Sequence, residues 1–199
     1  MEGEIKNIIS MLESGLECVH VRKPKMSTLQ MTEYLQKIPV QFHKKLVLHS
    51  HHLLAKKFQV QGIHYTRNHL EPGFTNWLRN KKLSFVRRPL IKTASHNKLS
   101  SLYDETPIKF DYVFLSPIFD SITGKYQSGF YEDAIKTAIR KTGLNVIARG
   151  GIDATRIEKS RDLGFKGVAL YSGIWKSTDP IESFFQIVKK FQELQIPID

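Results

Sequence analysis

Short apolar segments alternate with amphipathic ones along almost the whole chain, and this alternation restricts the fold more than any other feature. The apolar segments predict strands at residues 18–22, 45–49, 62–65, 89–95, 111–116, 145–149 and 166–172. The segments around them have helical spacing and predict helices at residues 4–15, 27–38, 52–58, 72–81, 97–104, 131–141, 153–164 and 179–194. Short apolar strands that alternate with helices are typical of a parallel sheet covered by helices, so we predict the α/β class.

The number and order of these units favour a barrel. Seven strand–helix units follow the first predicted helix (residues 4–15), whereas a (βα)8 TIM barrel has eight. We therefore expect a (βα)8 TIM barrel that lacks the first strand in this chain, because of a late start or an unusual closure. A doubly wound open sheet is the alternative. Residues 1–199 are interpreted as a single domain, which agrees with the usual length of one domain.

Charge and composition narrow the class of partner. Thirty Lys and Arg residues against nineteen Asp and Glu give a net charge of +11, which suits an anionic partner such as a phosphorylated small molecule. The basic pairs are dispersed along the chain, so we do not expect nucleic acid to be that partner. The single cysteine, the absence of a signal-peptide pattern and the lack of a long apolar run predict a cytoplasmic protein without a membrane segment.

Two glycine-containing segments follow the last two predicted strands. Gly150 and Gly151 end the segment VIARGG, and Ser172 and Gly173 come directly after GVALY. In barrels of this kind, the loops after the seventh and eighth strands often bind phosphate through backbone N–H groups near a helix N-terminus. We therefore predict that these four residues bind a phosphate group. The alternative is that the glycines only allow tight turns.

Several blocks of the sequence resemble the thiamin phosphate synthase/TenI family. They are, in chain order, CVHVRKP, LVLHSH, QGIHYTRN, TASHN, LSPIFDSITGK, VIARGGI and GFKGVALYSGIW. The resemblance implies a (βα)8 barrel that acts on a thiazole phosphate in thiamin biosynthesis. It implies one of two activities: a synthase, a transferase that joins a pyrimidine diphosphate to the thiazole phosphate, or a TenI-like tautomerase, an isomerase that shifts a proton on a carboxylated thiazole phosphate.

The resemblance also distinguishes between these two activities. Synthases of the family hold magnesium with two aspartates, but the matching positions here carry His49 and Ser50 and the run Thr66–His69. Because magnesium prefers carboxylate and phosphate oxygens, we expect no cofactor, and magnesium only if the chain is a true synthase. The tautomerase is therefore favoured, and a divergent synthase or a non-catalytic binding protein for a phosphorylated ligand are the alternatives.

The family pattern assigns roles to individual residues. His96 matches the histidine that carries the proton, and imidazole titrates near neutral pH, as that role requires. Arg22 matches a substrate-binding arginine, while Ser121 and Thr123 match hydroxyls that approach the thiazole phosphate. Lys125 is displaced by one position from the family lysine and is interpreted as substrate-binding.

Two further questions arise from the first half of the chain. His20, His49 and His64 lie on three successive predicted strands or directly after them, and three imidazoles can hold zinc. The alternative, which we favour at this point, is that they fill a pocket as ordinary polar side chains. An exposed strand edge beside residues 18–22 would also promote self-association, so a homodimer is expected.

Overall fold

A computed structural model describes residues 3–119 and 130–197 of the chain. Seven strands occur in this part of the chain; six lie within the ranges that the sequence predicts, and β4 ends one residue beyond its predicted range. They are β1 (Val19–Val21), β2 (Leu46–Leu48), β3 (Gly62–Tyr65), β4 (Ile91–His96), β5 (Tyr112–Leu115), β6 (Val146–Arg149) and β7 (Gly167–Ala169).

Helices separate most of these strands. They are α1 (Glu4–Glu13), α2 (Thr28–Gln36), α3 (Arg67–Leu70), α4 (Phe74–Leu83), α5 (Glu132–Lys141), α6 (Ile157–Asp162), α7 (Ser172–Trp175) and α8 (Pro180–Glu193). Shorter 3₁₀ segments occupy Val40–Lys45, His52–Lys56, Ser100–Tyr103 and Ala154–Arg156. The predicted helices at 52–58 and 97–104 are thus wrong in type. The structure has 3₁₀ turns there, with bonds between residues three apart such as Lys57 N–H to the Leu54 carbonyl.

Capping residues explain where two of the helices begin. The Asp179 carboxylate accepts hydrogen bonds from the backbone N–H groups of Ile181 and Glu182, at 2.9 and 3.0 Å, and Pro180 occupies the first helical position of α8. Asp153 accepts a bond from the Thr155 N–H and so begins the turn that leads into α6. Both caps are recognisable in the sequence because they depend on neighbouring residues only.

The chain divides into two compact units, Met1–Thr93 and Ala94–Asp199. In the first unit, β1, β2 and β3 pair in parallel, with His20 opposite Val47 and Val47 opposite Gly62. Its core consists mainly of aliphatic side chains from α1, α2 and these strands, among them Leu12, Met31, Leu35, Leu46 and Leu48. These side chains stabilise the unit by their removal from water.

In the second unit, β5, β6 and β7 pair in parallel, with Phe114 opposite Ile147 and Ala148 opposite Val168. Helices α5, α6 and α8 contribute buried aliphatic and aromatic side chains to its core, including Ile135, Ile157, Phe184 and Ile187. The strong amphipathic pattern of α5 and α8 is the sequence signal for this arrangement.

The strand order agrees with the barrel class rather than with the open-sheet alternative. The seven strands follow one another in the sheet in chain order, from β1 to β7. A doubly wound sheet would reverse its order at a switch point, and no reversal occurs here. The predicted fold class, a (βα)8-type sheet without a strand ahead of α1 in the described residues, is therefore confirmed. In the described ranges, no helix is both long enough and apolar enough to cross a membrane.

Candidate functional site

The first glycine segment is held tightly in the second unit. Gly150 and Gly151 follow β6 with φ angles of 93° and 67°, a backbone region that favours glycine. A Cβ at Gly150 would lie 2.9 Å from the Cα of Pro117, and Phe119 donates a backbone hydrogen bond to the Gly150 carbonyl at 3.2 Å. The backbone of this segment therefore requires glycine irrespective of any ligand.

The second glycine segment touches the first. Ser172 and Gly173 open the short helix α7, and a Cβ at Gly173 would lie 2.6 Å from the Ile152 carbonyl oxygen. The structure thus brings all four predicted phosphate-binding residues to neighbouring loops. It also gives two of the glycines a packing reason, so phosphate binding there stays a prediction.

Arg149, the last residue of β6, is fixed beside these loops by two neighbours. Its Nη1 donates a hydrogen bond to the Ser95 hydroxyl at 3.1 Å, and its guanidinium lies 5.4 Å from the centre of the Phe114 ring. Arg156 donates a hydrogen bond to the Gly151 carbonyl at 2.8 Å, and its guanidinium lies over the Phe119 ring. The sequence pattern does not single out Arg156, and its position five residues after Gly151 is the one local signal for this contact.

His96 ends β4 and is half-buried. Its side chain lines a cavity of about 370 Å³, whose other lining residues belong to the second unit as well: Ser101, Asp104, Thr106, Pro107, Ile108, Lys109, Phe110 and Leu144. Burial lowers the pKa of His96 below its usual range, and the negative charge of Asp104 acts in the opposite direction. The imidazole is therefore neutral at pH 7 and can accept a proton.

Strand geometry separates His96 from Arg149. Consecutive residues of a strand point to opposite faces of the sheet, and Ser95 contacts Arg149. The His96 side chain consequently lies on the face opposite to the guanidinium, in the cavity that also contains Asp104. The position of His96 at the carboxyl end of β4 is visible in the sequence, whereas the face that its side chain occupies depends on the register of the strand in the sheet.

The remaining predicted substrate residues are only partly covered by the structure. Arg22 lies directly after β1, in the first unit, and its side chain is exposed. Ser121, Thr123 and Lys125 lie outside the described residues, and their assignment stays a prediction.

Three imidazoles of the first unit converge on one face of its sheet. His20 lies in β1, His49 directly follows β2 and His64 lies in β3; the pairing register places all three on the same face. One nitrogen from each ring lies within 4.8 Å of the others. We call His20, His49 and His64 the imidazole triad.

The contacts inside the triad are close. Nδ1 of His20 and Nε2 of His49 are 2.8 Å apart, and the rings of His49 and His64 stack with their centres 3.9 Å apart. Nδ1 of His64 lies 2.8 Å from the hydroxyl oxygen of Thr93, a residue that is fully buried. His49 and His64 are buried, and His20 is half-buried.

A second histidine pair lies nearby in the first unit. The rings of His52 and His69 have their centres 4.4 Å apart, and His52 Nε2 donates to the His64 carbonyl at 3.1 Å. Burial, followed by the charges of His69 and Arg79, lowers the pKa of His52 to about 3. Burial and Arg79 also lower the pKa of His69. Both imidazoles are therefore neutral at pH 7.

The residues present do not fit magnesium. The positions at which the family resemblance expects aspartates carry His49 and Ser50 after β2 and the run Thr66–His69 after β3. Within the described ranges, the one place where three metal-ligating side chains converge is built from imidazoles alone. Magnesium is a hard cation that prefers oxygen ligands, so these donors are unsuited to it.

The parallel sheet, with its polar and glycine residues at the carboxyl ends of the strands, defines an α/β protein of the barrel class. The sequence profile of one family, thiamine monophosphate synthase, matches residues 2–174. The chain belongs to this family, which confirms the resemblance seen in its sequence blocks.

Individual relatives agree with this assignment. The thiamine-phosphate synthase of Hydrogenobaculum sp. is 25% identical over 198 residues, which cover 96% of this chain and 89% of the relative. The thiamine-phosphate synthase of Prochlorococcus marinus (strain AS9601) is 28% identical over 139 residues, or 69% of this chain. The crystal structure of thiamine phosphate pyrophosphorylase from Bacteroides thetaiotaomicron superposes with a TM-score of 0.74 at 23% identity, covering 96% of this chain and 92% of that one.

The lengths of the relatives differ. The match spans 37% of the Prochlorococcus protein, so this chain corresponds to less than half of that relative. The crystal structure shows that the two chains share a fold. At 23% sequence identity, this similarity does not indicate which reaction the chain catalyses.

Proposed function

We propose that the chain is an enzyme that binds a thiazole phosphate and shifts a proton on it, as TenI-like members do. The observation that carries the binding part is that the two glycine segments follow neighbouring strands, β6 and β7, with Arg149 opposite Ala169 at their ends. A phosphate seated there would meet backbone N–H groups from both loops and a guanidinium that Ser95 and Phe114 already orient. Arginine is suited to phosphate because it stays charged and offers several donors in one plane.

The loss of carboxylates supports the proton shift over the condensation. Departure of a diphosphate develops negative charge that a metal normally neutralises. The attraction between two opposite unit charges about 4 Å apart contributes roughly 4 kcal/mol at an effective dielectric of about 20. The donors after β2 and β3 are unsuited to magnesium. A proton shift needs instead a group that is neutral at pH 7 and can take up a proton, and the protonation state of His96 meets that requirement. Its side chain lies on the face of the sheet opposite to Arg149, so the proposal requires the reacting ring to reach His96 past the end of β4.

A second candidate function is a divergent synthase that joins a pyrimidine diphosphate to the thiazole phosphate. The relatives named thiamine-phosphate synthase favour it. In that case, basic side chains such as Arg22 and Arg67 would have to replace the metal. A non-catalytic binding protein is the third candidate.

One set of assays separates the three candidates. The purified chain is incubated with pyrimidine diphosphate, thiazole phosphate and magnesium, and thiamin phosphate is measured. In parallel, carboxylated thiazole phosphate is supplied alone, and aromatisation of its ring is followed by absorbance. We expect turnover only in the second assay. Thiamin phosphate in the first assay would overturn the proposal in favour of the synthase, and saturable binding without turnover would identify a binding protein.

A further inference from the structure

We propose that the imidazole triad is a binding site for a divalent transition metal of the zinc type, with His20 Nδ1, His49 Nε2 and His64 Nε2 as ligands. The family resemblance implies a magnesium site held by carboxylate oxygens. The proposed site differs from it in the ion, in the donor atoms and in the coordination geometry. It stands on the geometry of the first unit and does not rest on the proposed function.

The separation of the nitrogens suits zinc. Zinc–imidazole bonds are about 2.0–2.1 Å long, so two ligand nitrogens at the tetrahedral angle are about 3.3 Å apart. In the structure, one pair is 2.8 Å apart and one nitrogen from each of the three rings lies within 4.8 Å of the others. The rings of His49 and His64, which stack with their centres 3.9 Å apart, have to tilt away from each other so that both lone pairs point at one ion. The nitrogens that are furthest apart approach each other by at most about 1.5 Å when the ion binds.

Thr93 supplies the outer contact that such a site needs. Metal-bound histidines usually donate their second ring N–H to an oxygen, which fixes the tautomer and the ring orientation. The 2.8 Å contact between His64 Nδ1 and the Thr93 hydroxyl has this form when Nδ1 carries the hydrogen. Nε2 of His64 then presents its lone pair for coordination. Thr93 is fully buried, so this contact does not compete with water.

The strand positions make the site rigid. His20 and His64 are strand residues, and His49 donates its backbone N–H to the Val21 carbonyl at 3.1 Å, immediately after β2. Ligands on paired strands lose little freedom when the metal binds, which favours affinity. Three neutral imidazoles leave the dication its full charge and one open coordination position, as in zinc sites that bind an exchangeable oxygen ligand.

The choice of metal follows from the donors. Imidazole suits zinc, cobalt, nickel and copper, whereas magnesium and calcium require oxygen. Cobalt serves as a probe because a four-coordinate cobalt site absorbs visible light much more strongly than a six-coordinate one.

The test uses the full chain without a polyhistidine tag, stripped with a chelator. Zinc is added by equilibrium dialysis and counted per chain, and Co²⁺ binding is followed by visible absorption. We expect one metal ion per chain and an intense cobalt spectrum. His49→Ala and His64→Ala should each abolish stoichiometric binding, while His51→Asn, which removes an imidazole outside the triad, should leave it unchanged.

Two variants keep the test decisive. Thr93→Val should weaken zinc binding by about 10–100-fold, the range typical of outer contacts, with one ion still bound at saturation. His20→Gln removes the half-buried ligand and should abolish binding. Circular dichroism shows whether the variants at the buried positions, His49→Ala and His64→Ala, still fold. If they do not, His20→Gln alone decides the test. Absence of stoichiometric binding, or zinc that stays bound in His20→Gln, would overturn the proposal.

Discussion

The two units of the chain differ in the chemistry that they place at their strands. The first unit contains seven of the eight histidines, and three of them form the imidazole triad. The second unit contains a single histidine, His96, together with the two glycine segments and the oriented guanidinium of Arg149. One unit offers clustered imidazole nitrogens, and the other offers a permanent positive charge beside two glycine segments.

This difference indicates a division of roles. Guanidinium groups and exposed backbone N–H groups recognise anions such as phosphate, whereas buried neutral imidazoles recognise metals or exchange protons. The glycine segments of the second unit match those that the family resemblance implies for phosphate binding, which stays a prediction here. In the first unit, imidazoles occupy positions where that resemblance implies carboxylates, and the chemistry has changed accordingly.

The largest effect is expected in the second unit, at its single histidine. His96→Gln removes the proposed proton carrier, and turnover of carboxylated thiazole phosphate should fall by about 10²–10⁴-fold, the usual contribution of a positioned acid or base. Ligand binding should persist because the glycine segments are intact. Steady-state kinetics and calorimetric titration measure the two quantities. Unchanged turnover would exclude His96, and its position on the face opposite Arg149 makes this a stringent test.

Removing the guanidinium should have the next largest effect. Arg149→Met keeps much of the aliphatic length but deletes the charge, and binding of the thiazole phosphate should weaken by about 10–100-fold, since a hydrogen bond to a charged group contributes about 1.5–3 kcal/mol. Arg140→Met, at an exposed position of α5, is the matched control. Equal affinities of the two variants would contradict a phosphate site in the second unit.

A substitution in the first unit should affect folding rather than ligand binding. A Cβ at Gly62 would collide with the backbone carbonyl of Ile91, so Gly62→Ala should lower the free energy of unfolding by about 1–3 kcal/mol. Gly143→Ala, where nothing lies within 4 Å of the added carbon, should leave stability unchanged or raise it slightly. Urea denaturation compares the two variants, and equal midpoints would show that the close approach at Gly62 is relieved by movement of the strand.

The smallest expected effect concerns pH. A neutral His96 accepts the proton, so activity should fall as pH drops through its pKa, which burial places below the usual 6.5. Asp104 favours the protonated imidazole, so Asp104→Asn should lower this pKa further and extend activity to lower pH. The displacement should be small because Asp104 is exposed and solvent screens its charge. A profile of kcat/KM against pH measures it, and a displacement to higher pH would contradict the assigned interaction.

Some features of the site were accessible from local sequence and others were not. The glycines after β6 follow from an apolar run and turn residues, and the structure has them where the sequence predicts. The strand predicted at 89–95 ends one residue later, so that His96 is its last residue and not the first residue after it. The interpretation of the glycines was incomplete, because Gly150 and Gly173 also allow close backbone contacts with Pro117 and Ile152. These contacts join segments that are distant in sequence, so no local pattern reveals them.

The sequence by itself determined the order of the strands and of the longer helices, the caps at Asp153 and Asp179, and the family, because each depends on neighbouring residues or on short sequence blocks. Tertiary structure alone decided which side chains meet. Ser95 and His96 are adjacent in sequence yet point to opposite faces, whereas His20, His49 and His64 are far apart in sequence yet converge. The physical reason is that strand register is set by pairing between distant segments, and a shift of one residue would send each side chain to the other face.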